Sequence, residues 1–334
     1  MRRRSLLLAA VPAGLVTLAG CGDGTSDSSK TSASPSPSVS SAPPPKIVEG
    51  PLPAITAGTK FGEKPTVAKG TGEPSKDLAV KTLIAGSGRP VAENDFIRAD
   101  YLGQIWSSGK VFDNSYDRKR PLVMQLAQGS IIDGWRYALQ GKKTGSRVEI
   151  AVPPALGYGK GGNAQAGIKG TDTLVFVIDL EESFNSKSSA KGTPVPQTDA
   201  ALPKVGTNTD GQVPKVTIPK ADPPKKLVSQ YVLEGDGPEL KADQTVLCQF
   251  QGLVWDGGKT FQRTYGSGRL SQFSLEQMQQ AVKGLAQGLT GKKVGSRVLI
   301  VVPPELGYGD NPPSGGAVKK GSTLVFTVDV LAAM

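Results

Sequence analysis

The stretch GKKTGSRVEIAVPPALGYG at residues 141–159 returns almost unchanged as GKKVGSRVLIVVPPELGYG at residues 291–309, an offset of 150 residues. Upstream the offset is 149, since Trp106 corresponds to Trp255 and Phe112 to Phe261. Repeats of solenoid proteins span about 20–50 residues, so a period near 150 is domain-sized. The sequence therefore predicts two similar domains in tandem.

Each copy has the pattern of several strands and one short helix. In the first copy, alternating or β-branched apolar residues predict strands at 80–84, 96–105, 122–126, 147–152 and 174–180. Residues 130–140 carry apolar side chains three and four positions apart, which predicts a helix that ends near Gly141. The predicted fold class is α+β, with a curved antiparallel β-sheet wrapped around one short α-helix in each domain.

The composition excludes several classes of enzyme. The chain has 334 residues, a formal net charge of +10, two cysteines and no histidine. A Ser-His-Asp triad, a Cys-His dyad and a histidine-ligated zinc or haem site are therefore impossible. The basic residues form no stripe interleaved with aromatic residues, so nucleic acid is not an expected partner. No metal site and no cofactor are predicted.

The first 20 residues have the features of an export signal peptide. Arginines at positions 2–4 precede an apolar run at 6–18, which is too short to cross a membrane because a spanning helix needs about 20 residues. The run ends in Leu-Ala-Gly before Cys21, which resembles the lipobox of bacterial lipoproteins. The resemblance implies a lipid on Cys21 and a location on the outer face of the cytoplasmic membrane. An ordinary cleaved signal that happens to meet a cysteine is the alternative.

Two segments are too rich in Ser, Pro and Thr to bury a core. Residues 21–61 are predicted to be a disordered tether, and residues 185–211 a flexible linker. The ordered domains are then residues 62–184, with a core at 76–184, and residues 212–334, with a core at 226–334. Cys248 lies in the alternating run TVLCQFQG and is predicted to be a buried strand residue.

Four ordered motifs resemble the FKBP-type peptidyl-prolyl cis-trans isomerases. They are FDNSYDRKRP from Phe112, IIDGW from Ile131, PPALGYG from Pro153 and TLVF from Thr173. The resemblance covers about residues 76–184 and again 226–334. Together with the lipobox, it implies an exported bacterial lipoprotein with two tandem FKBP domains. Its implied partners are proline-containing exported polypeptides and the macrolide inhibitors of the family.

The resemblance also implies a pocket in the first domain, with Trp135 as its floor. The implied catalytic residues are Tyr101, Phe112, Asp113, Ile132, Trp135, Tyr158 and Phe176, and the implied substrate-binding residues are Arg118, Leu122, Ile131 and Ile168. By family analogy, the Tyr158 hydroxyl and the Ile132 backbone N–H would bind substrate carbonyls, and Asp113 and Arg118 would form a polar pair. Leu122 stands where the family commonly has an aromatic residue.

The second copy departs from this set at its floor and at its polar pair. Leu285 replaces Trp135, while Gln262 and Ser267 replace the aspartate and the arginine. One residue has also been gained between positions 275 and 284. The corresponding pocket, predicted to be weakened, consists of Phe250, Phe261, Val282, Leu285, Tyr308, Val318 and Phe326.

Such a pocket can act without an acid, a base or a metal. Rotation about an X–Pro bond is slow because it breaks amide resonance, with a barrier of about 18–20 kcal/mol. We therefore expect a peptidyl-prolyl isomerase that assists the folding of exported proteins, with the first domain catalytic. A non-catalytic peptide-binding or chaperone lipoprotein that uses the same scaffold is the alternative, and a purely structural lipoprotein is a third interpretation.

Overall fold

The computed structural model describes residues 43–314 and 316–334. The first half contains β1 (Ile47–Val48), β2 (Ile55–Ala57), β3 (Thr66–Val67), β4 (Leu78–Ile84), β5 (Phe96–Ile105), β6 (Val111–Asn114), β7 (Leu122–Gln125), α1 (Asp133–Leu139), β8 (Ser146–Val152) and β9 (Leu174–Phe184). The second half contains β10 (Thr193–Pro194), β11 (Lys204–Val205), β12 (Val216–Thr217), β13 (Val228–Glu234), β14 (Thr245–Val254), β15 (Thr260–Arg263), β16 (Ser271–Ser274), α2 (Leu275–Ala281), α3 (Lys283–Leu289), β17 (Arg297–Val302) and β18 (Leu324–Ala333). The predicted signal peptide, Cys21 and residues 21–42 of the predicted tether lie outside the described residues.

Each half is built on a seven-stranded sheet, and the two sheets share one strand order, although the edge strand β1 is parallel to β4 whereas β10 is antiparallel to β13. The strand order is β1-β4-β8-β9-β5-β6 in the first, with β7 also on β5. In the second it is β10-β13-β17-β18-β14-β15, with β16 also on β14. The large strands of both sheets pair antiparallel. The predicted α+β fold of two similar domains is therefore confirmed.

One face of the first sheet packs on α1. Because side chains alternate along a strand, Val148, Ile150 and Val152 of β8 all join the core with the helix. Gly134 lets the helix approach closely, since a Cβ atom there would lie 2.4 Å from a methyl of Val152. The helix is thereby fixed with one side against the sheet.

The second sheet packs on two short helices, α2 and α3, instead of the single helix that the sequence predicted. The residue gained in this copy lies in the connection from β16, which here forms a helical segment. The Ser274 hydroxyl caps it by accepting a hydrogen bond from the Gln277 N–H at 3.4 Å. None of the helices in the described residues is long and apolar enough to cross a membrane.

Residues 44–72, which we call the first strap, cover the outer face of the first sheet. Arg147 of β8, fully buried, forms an ion pair with Asp179 of β9 at 2.6 Å and donates to the Glu63 carbonyl at 2.7 Å. The Gly62 N–H donates to the same aspartate at 2.7 Å. Residues 44–61 thus differ from the predicted tether, because β1 pairs with β4 and the Arg147 guanidinium donates to the Gly58 carbonyl.

Residues 186–221, the second strap, cover the second sheet in the same way and replace the predicted flexible linker. Arg297 pairs with Asp329 at 2.6 Å and donates to the Gly206 carbonyl at 2.8 Å. Two buried glutamines of β14 donate to the strap as well, Gln249 to the Ser188 carbonyl at 2.7 Å and Gln251 to a proline carbonyl at 2.6 Å. The polar backbone of a proline-rich segment thereby finds its hydrogen bonds on the sheet.

An apolar cluster joins the two domains. It consists of Val123 and Phe184 from the first domain and Leu247, Leu331 and Ala332 from the second, all buried. The domains therefore share a packed contact in addition to the strap between them.

Cys248 of β14 lies in the core of the second domain and is completely buried, as the sequence predicted. Burial raises the pKa of its thiol above the ordinary value. The sulfur is consequently held as an unreactive thiol.

Candidate active site

Four aromatic rings of the first domain meet at one end of its core. Trp135 of α1 lies edge-to-face with Tyr101 of β5 and Phe176 of β9, with ring centroids 5.3 and 5.5 Å apart. Phe112 of β6 is edge-on to Phe176 at 5.6 Å. Trp135 is only 3% exposed, whereas Phe112 is half-buried, so the cluster runs from the interior to the surface.

Gly103 makes this ring packing possible. A Cβ atom at this position would lie 2.7 Å from the Phe112 ring and 2.8 Å from the Phe176 ring. Glycine in the middle of a predicted strand often marks such a close approach. Sequence reasoning gave Gly103 no role, although its place within the predicted strand 96–105 was the available signal.

A polar group lies beside the rings. The Tyr101 hydroxyl donates to Asp113, and the Arg118 guanidinium donates both to Asp113 and, at 3.1 Å, to the Tyr101 oxygen. Burial, together with the Asp113 carboxylate, raises the pKa of Tyr101 above its ordinary value, so the phenol stays protonated. Arg118 is exposed at the outer end of the group.

Ser115 fixes the strand position of Tyr101, and sequence reasoning missed it. The Tyr101 N–H donates to the Ser115 hydroxyl at 2.8 Å, and that hydroxyl donates to Asp100 at 2.6 Å. The Ser115 N–H donates back to the Tyr101 carbonyl at 3.0 Å. Thr264 makes the same backbone contacts with Phe250 in the second domain, so this clamp belongs to the scaffold.

The remaining predicted residues surround the same core. Ile132 precedes the first residue of α1, and its carbonyl accepts the Trp135 N–H at 3.0 Å. Ile168 is buried and exchanges two backbone hydrogen bonds with Asn163, at 2.9 and 2.8 Å. Four half-buried side chains pack against the core: Leu122, Ile131, Ile132 and Tyr158. The structure thus assembles the predicted set in one region, while the contacts of these residues with a substrate stay a prediction.

Tyr158 lies in the turn after β8. Burial raises the pKa of its hydroxyl. A hydrogen bond with the Asn163 side chain partly offsets this increase. The phenol is therefore a neutral donor at ordinary pH.

The corresponding region of the second domain lacks the tryptophan and the aspartate–arginine pair. Phe261 and Phe326 keep the edge-to-face contact, with centroids 5.8 Å apart, but Leu285 occupies the position of the tryptophan. Val282, between α2 and α3, donates its backbone N–H to the Met278 carbonyl at 2.8 Å. Phe250, Val282, Leu285, Val318 and Phe326 are buried, whereas Phe261 and Tyr308 are half-buried against them.

Within residues 43–314 and 316–334, no group of three or more Cys, Asp or Glu side chains is arranged to hold a metal ion.

Two matches place the chain among known proteins. Residues 87–181 and 237–331 each match the family FKBP-type peptidyl-prolyl cis-trans isomerase. The FK506-binding protein of Streptomyces anulatus is 40% identical over 118 residues, which are 35% of this chain and 95% of that protein.

Longer proteins match over more of the chain. Human peptidyl-prolyl cis-trans isomerase FKBP9 is 30% identical over 239 residues, 71% of this chain but only 34% of that protein. The crystal structure of the three FKBP domains of wheat FKBP73 covers 77% of this chain and 94% of its own, at 19% identity and a TM-score of 0.32. Because both halves match the family and the Streptomyces protein is covered almost entirely, the chain belongs to the FKBP-type peptidyl-prolyl cis-trans isomerases.

Proposed function

We propose that the first domain catalyses rotation about X–Pro bonds in exported polypeptides. The observation that carries this proposal is the ring cluster of Trp135, Tyr101, Phe176 and Phe112 with the Asp113–Arg118 group at its edge. Apolar rings bind the proline, while the polar groups bind the flanking backbone.

The chemistry needs no proton transfer. In the planar amide, resonance separates charge between oxygen and nitrogen, and this separation decreases as the bond twists. An apolar site therefore destabilises the planar ground state more than the twisted transition state. Hydrogen bonds that hold the chain in a turn add to the differential binding, which is what lowers a barrier.

The second domain is proposed to contribute little to catalysis. Leu285 offers no aromatic floor, and Gln262 and Ser267 do not supply the aspartate–arginine pair. In addition, the Val282 N–H, which corresponds to the substrate-binding N–H proposed for Ile132, already donates to Met278. A substrate carbonyl would have to displace this hydrogen bond.

A matched pair of variants of the full chain tests the assignment. Phe112→Ala and Phe261→Ala remove equivalent half-buried rings from the two domains. We expect Phe112→Ala to lower kcat/KM on a proline tetrapeptide about ten- to hundredfold, since each tenfold corresponds to about 1.4 kcal/mol of transition-state binding. Phe261→Ala should leave at least half of the activity. Equal losses in the two variants would contradict a first-domain site.

We also propose that the chain is exported and anchored by lipid on Cys21, so that it acts on the outer face of the cytoplasmic membrane. The lipobox-like residues 18–21 support this location. Growth of an expressing bacterium with labelled palmitate should label the wild-type chain and not Cys21→Ser. Equal labelling of both chains would refute the anchor.

The alternative function is that of a peptide-binding protein without turnover. The second domain favours it, because the half-buried Phe261 and Tyr308 keep an apolar surface where the proposed catalytic groups are absent. This alternative predicts that the catalytically impaired Phe112→Ala chain still suppresses the aggregation of an unfolded proline-free protein. Loss of that suppression together with the isomerase activity would exclude it.

A further inference from the structure

A cavity lies under the first strap, on the face of the first sheet opposite the aromatic cluster. It has a volume of about 430 Å³, within the range of small-molecule sites. Its walls combine aliphatic side chains, from Leu52, Pro53 and Ile55 of the strap and Leu83 and Ile84 of β4, with the polar residues Thr59, Lys81 and Glu149.

Glu149 of β8 lines this cavity. The residue is only 3% exposed, and its Oε1 atom has no hydrogen-bond partner in the described part of the chain. Burial raises the pKa of its carboxyl group to about 7, against a smaller opposite effect of Lys81. A buried carboxylate without a hydrogen-bond partner destabilises the folded protein, so the ionised form of Glu149 is unfavourable when no ligand is bound.

Lys81 does not neutralise Glu149. The two residues are directly opposed on neighbouring strands, yet no ion pair within 4.0 Å joins them among the described residues. The lysine is exposed and lies at the edge of the cavity. Solvent therefore screens its ammonium, and the carboxylate keeps its acceptor free.

The second domain provides an internal comparison. Leu299 stands at the position of Glu149 and Gln230 at that of Lys81, under strap residues Leu202 and Pro203. The remaining space there is only about 10 Å³. Leu299 is 2% exposed and packs in an apolar cluster with Val205 and Val232. In the second domain, apolar side chains thus fill the space between strap and sheet, whereas in the first domain this space is open and lined by an acidic group.

We propose that this cavity is a binding site for a small organic cation, with Glu149 accepting hydrogen bonds from its ammonium group and the aliphatic walls contacting its apolar body. A cation supplies both the charge and the N–H donors that the buried carboxylate lacks. The walls favour an aliphatic or alicyclic body over a strongly hydrated one. The site is separate from the proposed isomerase site, because adjacent residues of β8 face opposite sides of the sheet.

Calorimetric titration of the full chain with cyclohexylammonium at pH 8 tests the proposal, with cyclohexanol as the neutral probe of the same body. We expect the wild type to bind the amine at least tenfold more tightly than the alcohol. Glu149→Gln should weaken amine binding about tenfold or more, as expected for a charged hydrogen bond of about 1.5–3 kcal/mol. Glu149→Leu, which restores the second-domain residue, should abolish it.

Glu305→Gln, a change of an exposed carboxylate in the second domain, is the matched control and should bind the amine as the wild type does. All variants should keep their isomerase activity, so the result is independent of the proposed function. Amine binding that is absent from the wild type, unaffected by Glu149→Gln, or no tighter than alcohol binding would overturn the proposal.

Discussion

The two domains place different residues at equivalent positions of one scaffold. Tyr101 and Phe250 occupy the same position on β5 and β14, and each is clamped through its backbone by Ser115 or Thr264. Only the tyrosine has a hydroxyl, which links the ring cluster to Asp113. The difference between the domains at this position is therefore one hydrogen-bonding group.

Tyr101→Phe should lower kcat/KM on a proline peptide about three- to tenfold without loss of folding, because a net hydrogen bond is worth about 0.5–1.5 kcal/mol. Since the pKa of Tyr101 is raised, the wild-type rate should also stay constant from about pH 6 to about pH 9. Phe250→Tyr is the control and should not change the rate. A full loss of activity in Tyr101→Phe, or none, would contradict the limited role of the hydroxyl.

The pKa of Glu149 predicts a pH-dependent stability. Its value rises from 4.5 to about 7 on folding, so the native state retains a proton that the unfolded chain has lost between these values. Stability should therefore fall as the pH rises from about 4.5 to about 7, by about 2–3 kcal/mol in total. Urea unfolding should show this fall in the wild type and a smaller one in Glu149→Gln. Glu305→Gln serves as the control, and parallel curves for the wild type and Glu149→Gln would contradict the prediction.

The ring residues could be predicted from sequence because the family motifs carry them. Ser115 could not, since a hydroxyl that binds a neighbouring backbone is not visible in a hydrophobic pattern, and the only signal for Gly103 was a glycine within a predicted strand. Glu149 could not either. In an alternating strand the sequence assigns a glutamate to the solvent face, and only the strap over that face makes it buried.

At the level of elements, the straps show how a polar outer face is covered. Arg147 and Asp179 are fully buried, and they bind each other and the backbone at Gly58, Gly62 and Glu63. The second strap repeats this arrangement around Arg297 and Asp329. Each strap is thereby part of its domain, and the repeated unit extends beyond the cores predicted from sequence.

Arg147→Met should destabilise the first domain by about 3–5 kcal/mol, because it leaves Asp179 buried without its partner. The strap should also become more sensitive to limited proteolysis near residues 58–63. Lys46→Met, which removes an exposed ion pair with Asp77, should change the stability by less than about 1 kcal/mol. An unchanged unfolding midpoint in Arg147→Met would show that the ion pair does not hold the strap.

The strands were predictable because apolar alternation is strong in the cores: residues 96–105 were predicted and found as β5 without a change of boundary. The straps were not, because their Ser- and Pro-rich composition is that of disordered chain. The second-domain helix α2 was missed for a different reason. The sequence shows that one residue was gained between positions 275 and 284, but it does not show that this connection forms a seven-residue helix.

At the scale of the whole molecule, a packed contact between the two domains restricts their relative movement. Phe184, at the end of β9, is buried against Leu331 and Leu247 of the second domain. Together with the second strap it opposes free movement of the two domains, which the sequence predicted to be joined by a flexible linker.

Phe184→Ala should therefore uncouple the domains. Calorimetry should show one cooperative transition for the wild type and two separated transitions for the variant, with a loss of about 3–5 kcal/mol for a buried phenylalanine. Phe61→Ala, at an exposed ring, is the control and should keep the single transition. Two transitions already present in the wild type would mean that the contact does not couple the domains.

Because Cys248 is buried, the rate at which a thiol reagent modifies it reports how often the second sheet opens. A thiol reagent added to a chain whose Cys21 is replaced by serine can reach the sulfur only when β14 separates from its neighbours. The rate of modification then measures how often β14 separates from its neighbours in native buffer, without denaturant or heat. If the modification rate of Cys248 is lower in the presence of a proline peptide, peptide binding to the first domain stabilises the second domain against this opening.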